Sequence, residues 1–191
     1  MADTVPNTLP REKMDVDAFL AWVQTQPGGH FELYGGQIVA MAPERAAHAR
    51  GKFELAIALR NSIRASDLPC ETFIDGLGIR TGTDTFYEPD VFVRCGERLA
   101  GDVIETDDPV IIVEVNSPST SNIDTGLKLA DYFRLPSLRH YLVVDTARRR
   151  AIHHMRDEAG NVATHILAGG AVRFDPPGLN INLDEVFDAL D

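Results

Sequence analysis

A chain of 191 residues with 44% hydrophobic and 25% charged residues has material for one sizeable core and not comfortably for two. Its formal net charge of −11 argues against tight nonspecific adhesion to nucleic acid through the chain as a whole, because phosphate contacts need Lys and Arg. No apolar run reaches membrane-spanning length and no apolar stretch follows a basic start, so the expectation is a cytoplasmic protein without a membrane partner.

Residues 1–13 are polar with two prolines and are expected to form a flexible leader, leaving 14–191 as one domain. "DVDAFLAWVQ" predicts a short helix with Val16, Phe19, Leu20 and Val23 on one face and Asp15 as its cap. "HFELYGGQIVAM" predicts a hairpin around Gly35-Gly36. "PERAAHARGKFELAIALRNSIRAS" is the longest helical pattern, with Leu55, Leu59 and Ile63 on one face and Phe53 and Ile57 beside them. After Pro69 the pattern turns to strands: "CETFI", "LGIR", "DVFVR" and "VIIVEV". "GERLAGDVIETDD" between the last two is expected to be a polar loop. "SNIDTGLKLADYFR" predicts a helix with Ile123, Leu127, Ala130 and Tyr132 or Phe133 inward. "HYLVVD" is a buried strand, "RRRAIHHM" and "VATHILAG" are paired strands, and "NLDEVFDAL" is a terminal helix. Strands interleaved with helices and no repeat or linker indicate an α/β domain with a mixed sheet.

Cys70 and Cys95 belong to no CxxC pair and are expected to be reduced, partly buried thiols. Charge is unevenly spread. Glu44 to Ala65 holds five basic residues (Arg45, Arg50, Lys52, Arg60, Arg64) against two acids, and Glu97 to Asp131 holds eight acids against two basic residues. The first segment is a candidate face for a nucleic-acid backbone.

Two acids stand out. Asp90 precedes an alternating apolar run, and Glu114 lies inside the strand "IIVEV" on the face of Ile112. A carboxylate in a buried strand costs several kcal/mol unless a partner compensates. Singly, Glu114 suits an ion pair and Asp90 a turn. Together they suit a divalent cation, which takes hard oxygen ligands, with the Val115 backbone carbonyl as a third ligand. Asp124 and Lys128 share a helical face four residues apart, as an ordinary surface pair would, though an ammonium there can also orient an attacking water. Ser117, Ser119 and Thr120 have no nucleophile elbow around them and read as turn or cap residues. His153 and His154 are consecutive in a strand and face opposite sides, so they cannot chelate together.

"YEPDVFV" followed by "VIIVEVNSPSTSNIDTGLKLADYFRLPSLRHYLVVD" resembles the Uma-two family of restriction-endonuclease-type proteins, once classed as a domain of unknown function and part of the PD-(D/E)XK nuclease superfamily. The likeness runs from about Asp15 to the C-terminus. It implies a restriction-endonuclease-like mixed sheet of four or five core strands flanked by helices, with additional antiparallel strands. It implies an endonuclease dependent on Mg²⁺ or Mn²⁺, with Asp90 and Glu114 as metal ligands. Lys128 is then the catalytic amine, because Asn116 stands where the superfamily carries its lysine. Glu32 and His48 match upstream polar positions, Glu32 completing the catalytic set. DNA is the implied substrate and a homodimer the implied assembly. The rival expectation is a nuclease-fold protein without turnover, acting as a nucleic-acid-binding or regulatory homodimer; a third is a structural homodimer whose acids form salt bridges.

Overall fold

A computed structural model describes residues 9–116 and 122–190, and over 122–125 the backbone alone. Helix α1 (Val16–Val23) starts at Asp15, whose Oδ1 accepts from the Ala18 amide at 2.8 Å. The hairpin β1 (Phe31–Tyr34) and β2 (Gln37–Ala40) turns through Gly35 and Gly36 at φ 54° and 81°, the left-handed pair a two-residue hairpin needs. Phe31, Leu33 and Ile38 pack with Val16, Phe19 and Phe86 in a small satellite core. Glu32 lies between Phe31 and Leu33 and so faces away from that core, yet it is only 7% exposed.

Helix α2 (Ala46–Ser66) buries Leu55, Leu59 and Ile63 as its periodicity predicts. Phe53 does not join them and is 56% exposed. Two residues along a helix is about 200° around it, which puts Phe53 on the far side from Leu55.

The remaining elements are β3 (Cys70–Ile74), β4 (Gly78–Arg80), β5 (Phe86–Tyr87), β6 (Val91–Cys95), β7 (Glu105–Thr106), β8 (Pro109–Asn116), α3 (Asn122–Tyr132), β9 (His140–Asp145), β10 (Arg150–Arg156), β11 (Val162–Leu167), β12 (Ala171–Phe174), β13 (Leu179–Asn182) and α4 (Leu183–Asp188). The main sheet is ordered β11-β10-β9-β8-β6-β3. Its one parallel pair is β8 with β9, and α3 makes the crossover such a pair requires. The antiparallel β10–β11 hairpin extends the sheet to six strands, in keeping with the expected core of four or five strands with additional antiparallel ones. A second sheet, β2-β1-β5-β4-β7, carries the early hairpin, and its β7 occupies the segment expected to be loop. This mixed α/β architecture with helices on the sheet is the class the sequence predicts.

The main sheet is covered on both faces. Ile111, Val113 and Val115 of β8 pack in the core with Leu55, Leu59 and Ile63 of α2. Ile112 packs in the other core with Tyr132 of α3 and Leu135 and Leu138 after it. Among the described residues no helix is long and apolar enough to cross a membrane.

Two expectations fail here. Cys70 and Cys95 are not free thiols. They are direct partners in the β3–β6 register and form a disulfide. Register between strands 25 residues apart is a long-range property that spacing does not reveal. Helix α3 is also rotated from its predicted setting. Leu127 is 42% exposed and Ala130 is exposed, while Lys128 and Asp131 are buried; Tyr132 is buried as expected. The Ile123 and Asp124 side chains lie outside the described ones, as do Ser117, Ser119 and Thr120 altogether.

His153 and His154 face opposite sides. His153 Nε2 lies 3.1 Å from His140 Nδ1, and both rings pack on Phe174, while His154 meets Thr164 across the strand. His140 Nε2 donates to the Pro176 carbonyl, so its Nδ1 accepts from His153. Burial pushes both rings below the usual 6.5, His153 to about 4. A lowered folded-state value means the unfolded chain binds more protons between about 4 and 6.5. Stability should therefore rise with pH across that window, with His153 contributing on the order of 3 kcal/mol. Thermal melts of wild type and His153→Gln from pH 4 to 7 check this. The variant's curve should be flatter than wild type, and parallel curves would contradict the assignment.

Candidate active site

The site forms where β8 outruns β6. Val91 pairs with Val113, and the next pair in that register is Asp90 with Glu114. Because β6 starts at Val91, the Val115 amide has no strand partner on that edge. Asp90 supplies one: its Oδ2 accepts from the Val115 N–H at 2.7 Å. Its Oδ1 lies 2.9 Å from His48 Nε2, which donates from the first turns of α2. That bond pushes the His48 pKa up, against the opposing effect of burial. Asp90 itself is 7% exposed.

Glu114 points to the α3 side, and its side chain is 16% exposed. The Tyr132 hydroxyl donates to its Oε1 at 2.9 Å, and Lys128 Nζ lies 3.4 Å from the same oxygen. Lys128 also donates to Glu32 Oε1 at 2.8 Å, and the Glu88 amide donates to that oxygen at 3.1 Å. The ammonium sits 5.1 Å from the centre of the Tyr87 ring, whose hydroxyl donates to Asp131 at 2.7 Å. These contacts explain the rotation of α3. The face it buries brings Lys128 to carboxylates on β1 and β8 while Leu129 and Tyr132 pack in the core.

Glu32, Asp90, Glu114 and Lys128 therefore come together from β1, the start of β6, β8 and α3. Two carboxylates, Glu32 and Glu114, share one ammonium, and Asp90 adds its charge at Glu114. Positive charge is short, and Glu114 registers the deficit. Its carboxyl is pushed up to about 8, chiefly by burial, with Asp90 and Glu32 adding and Lys128 opposing. A divalent cation suits such a set. Glu44, His48 and Asp90 also converge, their ligand atoms all within 4.8 Å of one another.

Tyr132, Tyr87 and Glu44 are the participants that sequence reasoning did not assign to the site. A signal existed for one of them: Tyr132 is four residues after Lys128, so the two share a helical face. Tyr87 gives no such signal. Lys52, counted among the basic residues for nucleic acid, is buried instead. It pairs with Glu44 and, at 2.6 Å, with Asp75. Arg45, Arg50, Arg60 and Arg64 of the same segment are exposed.

Residues 16–186 match a protein family, Uma2, described as "Putative restriction endonuclease". Among curated proteins the chain is 28% identical over 183 residues to the uncharacterized protein slr1290 of Synechocystis, covering 95% of each chain. It is 27% identical over 128 residues to sll1609 of the same organism, covering 65% of this chain and 71% of the other. Among solved structures, a protein from Anabaena variabilis described as a "putative nuclease belonging to DUF820" superimposes with a TM-score of 0.75 at 15% identity. The match covers 93% of this chain and 99% of that one. At that identity the match shows the fold.

Proposed function

The chain belongs to the Uma2 family, and from that premise we propose that it is a metal-dependent endonuclease that hydrolyses phosphodiester bonds in DNA. The observation that carries the reading is that Glu32 and Glu114 share the ammonium of Lys128, with Asp90 close enough to help raise the Glu114 carboxyl. Asp90 and Glu114 are the metal ligands in this reading. The Val115 carbonyl is a third, since N–H and C=O of one strand residue leave on the same edge and its N–H is already turned to Asp90. When bound, Mg²⁺ or Mn²⁺ supplies Lewis acidity, lowering the pKa of a water and offsetting charge on the scissile phosphate.

The chain's own groups do the rest. Lys128 lies within reach of Glu114 from α3 and so fills the role that Asn116, on β8 itself, cannot. Its ammonium orients the attacking water and attracts the phosphate oxygens. Glu32 and the Tyr87 ring hold that ammonium in place, and Tyr132 holds the Glu114 carboxylate. Cutting both strands of a duplex with one such centre per chain calls for two copies, so a homodimer belongs to this reading.

The test is cleavage of supercoiled plasmid by metal-stripped protein, with Mg²⁺ or Mn²⁺ added back. Wild type should nick or linearise the plasmid only when the cation is present. Glu114→Gln, close in shape but without the charge, should lose about 100-fold or more of that rate. A wild type inert with both cations, or a Glu114→Gln variant as fast as wild type, rejects the proposal; the first result would favour binding without turnover.

A further inference from the structure

Asp90 turns one oxygen to Val115 and the other to His48, and the second direction leads to a group unlike the first. His48 brings an imidazole nitrogen, and Glu44, four residues before it, brings another carboxylate. The three ligand atoms lie within 4.8 Å of one another. Donors on opposite sides of one ion at about 2.0–2.3 Å lie some 4–4.6 Å apart and neighbouring donors lie closer, so the triangle closes around the ion from a start at which Asp90 and His48 are already 2.9 Å apart. We propose that His48 and Glu44 are ligands of the cation that Asp90 holds. The centre is then a mixed nitrogen–oxygen site that takes a borderline first-row ion such as Mn²⁺ or Co²⁺ ahead of Mg²⁺. This rests on the reading that Asp90 is a metal ligand.

The fold holds His48 in position. Gly51, one turn further along α2, lets the helix approach the sheet closely: a Cβ there would come within 3.0 Å of Thr146 and 3.4 Å of Val115. His48 is thereby fixed over the same strand end that carries Asp90 and Val115. Glu44 is held in turn by Lys52, which bonds its Oε1. For Nε2 to bind a cation the ring must carry its proton on Nδ1, and Asp90 Oδ1 then exchanges the imidazole N–H for the ion.

Ligand softness gives the selectivity. Mg²⁺ takes oxygen donors, and imidazole suits the first-row transition ions. An all-oxygen centre of Asp90, Glu114 and a carbonyl would show little preference of this kind. Adding a nitrogen ligand raises affinity for Co²⁺ in particular, which lies above Mn²⁺ in the general order.

The experiment is titration calorimetry of untagged, metal-stripped protein with CoCl₂ and, separately, MgCl₂, alongside the visible absorption of the Co²⁺ form. Wild type should bind Co²⁺ about 10- to 100-fold more tightly than Mg²⁺, and His48→Gln should remove most of that ratio by weakening Co²⁺. Glu44→Gln, at an exposed position whose partner Lys52 keeps Asp75, should weaken Co²⁺ as well and change its spectrum. Equal affinities in wild type, or a Co²⁺ affinity and spectrum unmoved in both variants, overturn the inference. A wild type that binds neither ion overturns it together with the metal-dependent reading. No turnover enters the measurement. Cleavage that persists while the ratio is near one therefore defeats this inference alone, and a clear ratio without cleavage defeats only the nuclease reading.

Discussion

Asp90→Ala should lose metal-dependent plasmid cleavage by about 1,000-fold or more, equivalent to about 4 kcal/mol of barrier. The residue does three things at once. In the proposed reading it offers a charged ligand, and it satisfies the Val115 amide beyond the end of β6 and fixes the His48 ring. Alanine removes all three. A buried amide left without an acceptor costs about 1–3 kcal/mol, so Asp90→Ala should also melt earlier. Asp90→Asn separates the effects. Its amide oxygen can still accept from Val115, so its melting temperature should stay near that of wild type. Its charge is gone, so cleavage and calorimetric cation binding should fall nearly as far as in the alanine variant. Cleavage by Asp90→Asn at the wild-type rate would remove Asp90 from the metal's ligands and leave it a strand-end cap.

What the sequence discloses follows from how local each feature is. Asp15 as a cap, the Gly35-Gly36 turn and the Leu55, Leu59, Ile63 stripe depend on neighbours within a few residues, and they stand where periodicity puts them. The two-residue strands β5 and β7 are too short to carry a period, and they exist because longer partners recruit them. The Cys70–Cys95 bond depends on the register of β3 against β6, which only the assembled sheet fixes. Helix α3 is the instructive case. Its hydrophobic pattern points Leu127 and Tyr132 inward; Tyr132 is buried as expected, while carboxylates on two other strands draw in Lys128 and leave Leu127 exposed. Local pattern and long-range charge disagree there, and charge prevails. Such disagreement between levels is expected at functional sites. Glu114 could be named from sequence because a carboxylate in an apolar strand is itself such a disagreement, and Asp90 as the acid that pairs with it, whereas the role of Lys128 comes from the family resemblance. The aromatic seat under Lys128, made by Tyr87, could not, since nothing in "TFYEP" marks that tyrosine.

Removing the amine should be the most damaging single change to stability. Lys128→Met keeps the length and apolar stem of the side chain, and it withdraws the one ammonium shared by Glu32 and Glu114. Breaking a buried ion pair from one side costs about 3–5 kcal/mol, because the partner's charge remains buried and uncompensated. The loss should depend on pH with a definite sign. In wild type the Glu114 carboxyl already stands at about 8 against its usual 4.5, so the folded state binds more protons than the unfolded one between those values. Glu114's contribution to stability is therefore greatest below 4.5 and is lost as pH rises through about 8. Without Lys128 the opposing influence disappears and Glu114 rises further. The variant's stability should then fall more steeply with pH than wild type's, with the gap largest above pH 8 and smallest near pH 5. Urea denaturation at pH 5, 7 and 9 measures this directly. Adding Glu114→Gln to Lys128→Met should recover part of the loss at pH 9, since an amide needs no counter-charge. Coincident wild-type and Lys128→Met curves at pH 9 would mean that the ammonium is not what holds these carboxylates in the core.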